Sequence, residues 1–215
     1  MTTIFFLRHA ESLANELGVL AGRTPGVGLS ERGLKQAKGL VKQLSNYRFD
    51  VVISSPLERC IQTIEPFRKK ADISTVEMEA FQEMDYGNWS GKNLKKLAQK
   101  KEWKIIQNTP ETFTFPKGES FRNAAKRINN ALISIERDFK DQNILIVSHG
   151  DIIKIAITLL LGLQLKNFQK ITIDPASLTA FNIDAQKLLF LNLKSKGRWN
   201  VNLSQRFQLG GGTDR

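Results

Sequence analysis

The residues able to do chemistry in this sequence are few, which limits the kinds of chemistry available. The chain has 215 residues, with only two histidines and one cysteine. A Cys/His zinc centre would need more soft or imidazole ligands than that. Any catalysis by imidazole must use His9, His149 or both. His9 stands in Leu7-Arg8-His9-Ala10-Glu11-Ser12, directly after the apolar run Ile4-Phe5-Phe6-Leu7. His149 stands in Val147-Ser148-His149-Gly150, after a second such run. Between them, Ser54-Ser55-Pro56-Leu57-Glu58-Arg59 places an arginine near the start of an expected helix. Other chemistries do not fit. Gly87-Asn88-Trp89-Ser90-Gly91-Lys92-Asn93 has the wrong glycine spacing for a P-loop and lacks the following Ser/Thr. No Gly-x-Ser-x-Gly elbow occurs. Cys60 has Pro66, not arginine, six positions on, so a cysteine-phosphatase loop is not supported. No dinucleotide glycine fingerprint is present.

These residues must be positioned by regular elements. Thr3–Leu7, Asp50–Ser54 and Asn143–Ser148 read as buried strands, and Thr75–Met78 as a further one. Ser30 looks like the N-cap of a helix to about Ser45, in which Leu34, Ala37, Leu40, Val41 and Leu44 recur at helical spacing. Ser55-Pro56 reads as an N-cap followed by proline at the first helical position. Ser120 caps a helix with Phe121, Ala124, Ala125, Ile128, Ala131, Leu132 and Ile135 on one face. Ile152–Leu161 reads as a buried helix, and 177–183 with 188–193 as a closing hairpin. Gly18, Gly22, Pro25, Gly26 and Gly28 mark a loop. Strands alternating with helices imply an α/β three-layer sandwich: a mostly parallel central sheet, helices on both faces and a small helical cap insertion. In such sheets a site forms off the carboxyl ends of the strands, where both histidines fall. One domain is expected over 1–199, with the cap at about 84–118 and a mobile tail over 200–215.

The formal charge is +11, from 32 Lys+Arg against 21 Asp+Glu. Lys92, Lys95, Lys96, Lys100, Lys101 and Lys104 concentrate part of it in what reads as a surface helix with a positive, solvated face. Such a balance fits nucleic acid, an anionic substrate or plain solubility. No membrane span is expected. The N-terminus lacks the features of a signal peptide, and the single cysteine fits a cytoplasmic location.

In order along the chain, five segments resemble the histidine phosphatase superfamily, which includes the cofactor-dependent phosphoglycerate mutases. They are Arg8-His9, the Ser54-to-Thr63 segment, Glu83-Met84-Asp85-Tyr86-Gly87, Gly118-Glu119-Ser120 and Ser148-His149-Gly150. The resemblance covers roughly residues 3–195. It implies His9 as nucleophile, Glu83 as proton donor, and Arg8, Arg59 and His149 as a phosphate pocket. It adds Asn15 as a phosphate contact and places Gly22 and Arg23 in the loop bordering the substrate. The chemistry is coherent. A neutral imidazole attacks phosphorus well, and arginines clamp the equatorial oxygens without a metal or cofactor. A carboxyl beside an anionic phosphate keeps its proton more readily, as an acid must. The chain departs from the usual family pattern in having Ala10 where glycine commonly follows the nucleophile.

The resemblance implies a metal-independent phosphomonoester hydrolase working through phosphohistidine on small phosphorylated metabolites. The alternative is a phosphoglycerate mutase-type phosphomutase. Only residues 84–148 separate Glu83 from His149, shorter than in the mutases, which favours the hydrolase. A third reading, a basic nucleic-acid-binding or scaffold protein with a vestigial pocket, rests on the charge alone and is opposed by the intact pocket residues. The sequence leaves a homodimer open. Cys60, Trp89, Trp103 and Phe121 read as packing residues.

Overall fold

The computed structural model describes residues 1–194. The expected tail, 200–215, lies outside them. Six strands form one sheet in the order β3-β2-β4-β1-β5-β6. These are β1 (Thr3–Arg8), β2 (Val51–Ser54), β3 (Thr75–Glu77), β4 (Asn143–Ser148), β5 (Leu178–Asn182) and β6 (Lys187–Leu193). The first four are mutually parallel, whereas β5 runs antiparallel to both β1 and β6. The closing hairpin is therefore real, and it supplies the sheet's antiparallel edge.

Successive strand residues point to opposite faces, so every central strand contributes to two cores. Phe5, Leu7, Val52, Leu145 and Val147 face α2 (Glu31–Leu44) and α3 (Glu58–Ala71), where Ala37, Leu40, Leu44, Ile64 and Phe67 meet them. Ile4, Phe6, Ile53, Ile144 and Ile146 face α6 (Phe121–Asp138) and α7 (Gly150–Leu160), with Phe121, Ile128, Ile135, Ile153 and Ile157. The result is the three-layer α/β sandwich expected from the sequence. A fully buried side chain such as Leu40 contributes about 1.5–3 kcal/mol, so the two cores dominate stability.

Residues 84–118 contain only short helices, among them α4 (Leu94–Leu97) and α5 (Lys101–Asn108); the four-residue α1 (Leu13–Glu16) lies earlier in the chain. Trp89, Leu97, Ile106, Phe113 and Phe115 from this segment join the core beneath α6. The six lysines of 92–104 are all exposed, so that stretch is a solvated face as its spacing suggests.

Helix starts mostly follow the capping rules. Ser30 Oγ accepts from Gly33 N–H, and Ser120 Oγ from Asn123 N–H. The Ser55-Pro56 start is the exception. Helix α3 begins at Glu58, and its N-cap, Leu57, makes no side-chain capping bond. Ser55 is fully buried, and its hydroxyl both accepts from Leu57 N–H at 3.3 Å and lies 2.8 Å from His149 Nε2. Helix α7 begins at Gly150, two residues before the expected start.

Candidate active site

The parallel register brings the chemical residues together. Arg8 pairs with Ser148 and Ser54 with Val147, so β1, β4 and β2 end almost level. The next residue of each strand is held by the ladder: His9 N–H donates to Ser148 O at 2.9 Å, and Ser55 N–H to Val147 O at 2.9 Å. His9 and His149, remote in sequence, thereby lie with ring centroids 5.2 Å apart.

His9 is 3% exposed. Its Nδ1 lies 2.7 Å from Ala10 O, a group that can only accept. The neutral ring must therefore carry its proton on Nδ1, which leaves the lone pair on Nε2. Burial holds the imidazole well below the usual histidine range, and the Arg59 and Arg8 charges push the same way. The neutral, nucleophilic form is thus the one present at neutral pH. Ala10 is fully buried with its N–H donating to Thr63 Oγ1 at 2.9 Å, so this turn accommodates the methyl group.

Two guanidinium groups flank His9. Arg59 is 2% exposed and donates from Nη2 to Gly22 O at 2.9 Å. Arg8 donates from Nη1 to Ile173 O at 2.6 Å, while its buried Nε has no hydrogen-bond partner among the described residues. A buried donor left unmade costs about 1–3 kcal/mol, which an anionic ligand oxygen at this position would recover. Gly150 opens α7 directly against this group: a Cβ there would lie 3.2 Å from Arg8 Cζ.

His149 is fully buried between Ser55 Oγ, the Cys60 sulfur 3.5 Å from Nε2, and Glu83, whose Oε2 is 3.9 Å from Nδ1. Burial again holds its ring well below the usual range, aided by Arg59, His9, Arg8 and Arg127. Cys60 packs as expected; burial pushes its thiol up to about 12. Glu83 has its carboxyl raised to about 7, first by burial and then by the nearby Asp151 charge, against the opposing pull of Arg59, the Met84 N–H and Arg8. A carboxyl half-protonated near neutrality can serve as acid and then as base.

Arg8, His9, Asn15, Gly22, Arg59 and Glu83 line one cleft of about 280 Å³. Asn15 Oδ1 is engaged by Ser12 in a capping box, which leaves its amide NH₂ as the group able to donate to a ligand. Gly22 adopts φ +55°, where a Cβ would meet Ser90 Oγ at 2.7 Å. Arg23 is bonded to the Glu83 segment. Its Nε donates to Glu83 O at 2.9 Å and its Nη2 to Glu119 Oε1 at 3.1 Å. Arg127 joins the same carboxylate from α6 at 2.8 Å, and Asp85 N–H donates to it at 3.0 Å. Arg23 is thus a tie that fixes the Glu83 backbone.

Several cleft residues were not singled out from the sequence. Tyr86, Leu94, Asp151, Lys154 and Gln169 all line it. Trp103 lines it too, while stacking on Trp89 at 6.5 Å and 7°. The position of Asp151 and Lys154 directly after His149-Gly150, three residues apart on a helix starting at the site, was the available signal. Among the described residues no cluster of His, Cys, Asp and Glu could hold a metal ion, and no helix is long and apolar enough to cross a membrane.

Comparison with known proteins agrees with this geometry. The family model described as histidine phosphatase superfamily (branch 1) matches residues 4–195. The chain is 29% identical to phosphoserine phosphatase 1 of Hydrogenobacter thermophilus, over 90% of this chain and 92% of that one. The alpha-ribazole phosphatase of Shigella flexneri has a similar structure, with a TM-score of 0.79 at 26% identity, covering 88% of this chain and 96% of that one. The phosphoserine phosphatase of Entamoeba histolytica, solved in complex with 3-phosphoglyceric acid, also gives 0.79, at 25% identity over 89% and 97%.

Proposed function

Because the chain belongs to the histidine phosphatase superfamily, we propose that it hydrolyses small phosphomonoesters in two steps through a phosphohistidine on His9. The observation that carries this reading is the state of His9: a neutral ring, with its proton pinned on Nδ1 against Ala10 O, between the Arg8 and Arg59 guanidiniums.

In the first step His9 Nε2 forms a bond to phosphorus as the ester P–O bond breaks. The departing alkoxide takes the proton of Glu83. Arg8, Arg59 and Asn15 donate to the phosphoryl oxygens, where negative charge is spread in the transition state. The unpartnered Nε of Arg8 has its acceptor there. His149, neutral and 2.8 Å from Ser55 Oγ, has its ring centroid 5.2 Å from that of His9 and supports the same group. In the second step the Glu83 carboxylate takes a proton from water. The water oxygen bonds to phosphorus, the P–N bond breaks, and inorganic phosphate leaves with His9 neutral again. The two arginines supply the charge that a metal supplies elsewhere. The described residues act as one domain, in which residues 84–118 form a cap over the cleft.

A cleft of about 280 Å³ suits a metabolite-sized substrate. Phosphoserine and α-ribazole phosphate are the substrates that the names of its relatives suggest. Phosphoryl transfer to water is favoured over return to a second hydroxyl, since the segment between Glu83 and His149 is short. The test is turnover of p-nitrophenyl phosphate, with rapid acid-free quenching to trap labelled enzyme. We expect phosphate release and a base-stable, acid-labile phosphoenzyme, both lost in His9→Ala. Turnover retained in that variant sinks the proposal. With 3-phosphoglycerate and a bisphosphate primer, the hydrolase releases phosphate, whereas isomerisation would identify a mutase.

A further inference from the structure

Four polar groups on the cleft wall are given no contact with the transferring phosphoryl group: Tyr86, Asp151, Lys154 and Gln169, although the Asp151 charge also helps Glu83 hold its proton. Asp151 Oδ2 accepts from Tyr86 Oη at 2.9 Å, and Oδ1 faces Lys154 Nζ at 3.4 Å. The same ammonium approaches Gln169 Oε1 at 3.4 Å. Asp151 and Lys154 lie in the first turns of α7, whereas Tyr86 follows the Glu83 segment and Gln169 belongs to the helical turn Leu165–Lys170. A Lys–Asp pair three residues apart is ordinarily a solvent-face contact gripped by nothing outside its helix. Here each charge is held from another element. Tyr86, 4% exposed, commits its buried hydroxyl to the carboxylate. The Asp151 and Lys154 side chains are only 26% and 19% exposed.

Their place in the cleft is equally specific. Helix α7 starts at Gly150 against the Arg8 guanidinium. Lys154 therefore stands about one helical turn, ~5.4 Å, along the wall from the phosphoryl-holding end. The short carbon skeleton of a small leaving group spans that distance. A carboxylate there repels a purely anionic substrate, and Asp151 has this effect unless the leaving group itself carries a cation. Lys154 beside it calls for an anion on the same leaving group.

Resting on the phosphatase reading above, we propose that Asp151 and Lys154 form a dipolar subsite for a leaving group bearing an ammonium and a carboxylate, so that the preferred substrates are phosphorylated hydroxy-amino acids. The ammonium donates to Asp151, oriented by Tyr86, and the carboxylate accepts from Lys154, oriented by Gln169. The loose 3.4 Å contact between the two side chains gives way to two charge-assisted hydrogen bonds to the ligand, and neither charge is left without a partner. A phosphorylated nucleoside, which has no such ammonium–carboxylate pair, fits this subsite poorly.

The test compares kcat/KM for four phosphomonoesters: O-phospho-L-serine, O-phosphoethanolamine without the carboxylate, 3-phosphooxypropanoate without the ammonium, and p-nitrophenyl phosphate with neither. Phosphoserine should exceed each single-group analogue by at least about tenfold, the effect of one charge-assisted hydrogen bond. In Asp151→Asn the preference over 3-phosphooxypropanoate should collapse toward one. In Lys154→Met the preference over phosphoethanolamine should collapse instead. Because each ratio is taken within one protein, the fraction of folded enzyme cancels. Wild-type ratios within about threefold of one, or variants that lower all four substrates alike, overturn the subsite. Turnover of p-nitrophenyl phosphate that depends on His9 but shows no such preference leaves the phosphatase reading intact. Turnover that survives His9→Ala, or no turnover of any of the four, overturns both.

Discussion

Replacing Glu83 by glutamine separates its chemical role from its cost to the fold. The carboxyl titrates at about 7 instead of the ordinary 4.5, chiefly because it is buried. At about 1.4 kcal/mol per pH unit, that gap is about 3 kcal/mol of folding free energy. The sign follows from proton binding. Below the unfolded value both states are protonated and nothing is lost. As pH rises through the gap, the unfolded chain releases its proton while the folded one retains it, so stability falls until about pH 7 and then levels. Glutamine, isosteric and never ionised, is spared this loss. Urea denaturation of Glu83→Gln against wild type should therefore show a relative gain of about 3 kcal/mol between about pH 4 and about pH 8. Activity should move the opposite way. Without an acid, the single-turnover rate on an alkyl phosphate should fall about 10²–10⁴-fold. p-Nitrophenolate leaves without a proton, so with that substrate the variant should retain a burst of one product per enzyme, followed by slow turnover for want of the base. In the wild type, kcat/KM for alkyl phosphates should decline above about pH 7 as the acid ionises. Equal losses on both substrates, or a stability difference that does not change with pH, would refute the assignment.

Three further changes test the supporting structure. Arg59→Lys replaces the buried fork that spans Gly22 O; kcat/KM should fall about 10²–10³-fold with little change in the folded structure, as read by steady-state kinetics and circular dichroism. Gly22→Ala forces a side chain into φ +55° and against Ser90, and should lower stability by about 1–3 kcal/mol in denaturant titration while raising KM. Glu119→Ala removes the carboxylate shared by Arg23 and Arg127. It should cost about 2–4 kcal/mol and lower kcat through a loosened Glu83 segment, whereas Glu119→Gln, which keeps hydrogen-bond acceptance, should recover part of that rate.

Much of this molecule is written locally. The alternation of Ile4, Phe5, Phe6 and Leu7, and of Ile144 through Val147, specifies strands buried on both faces. Ser30 and Ser120 start their helices by bonding N–H groups three residues on, a contact that needs no distant partner. Five ordered segments, from Arg8-His9 to Ser148-His149-Gly150, carried the resemblance from which a phosphoryl site was expected, and Asn15, Gly22 and Arg59, expected with it, line the same cleft as His9. What could not be read was every decision between local and distant partners. Ser55 has the sequence of a helix cap and its hydroxyl does accept from Leu57 N–H, yet its shorter contact is with His149, 94 residues away. Arg23 has the place of a substrate ligand, yet it is drawn to the Glu83 carbonyl and Glu119. Tyr86 and Asp151 meet across 65 residues, and nothing in either segment announces the other. The physical reason is that hydrophobic period, capping and the Asp151–Lys154 contact depend on neighbours three or four residues off, whereas the neutrality of His9, the raised Glu83 carboxyl and the hold of Tyr86 and Gln169 on that pair depend on burial and on groups brought close only when the sheet and its helices assemble. The sequence by itself determined the elements and which residues stand at their ends; the tertiary structure decided their protonation, their partners and the polarity of the cleft they face.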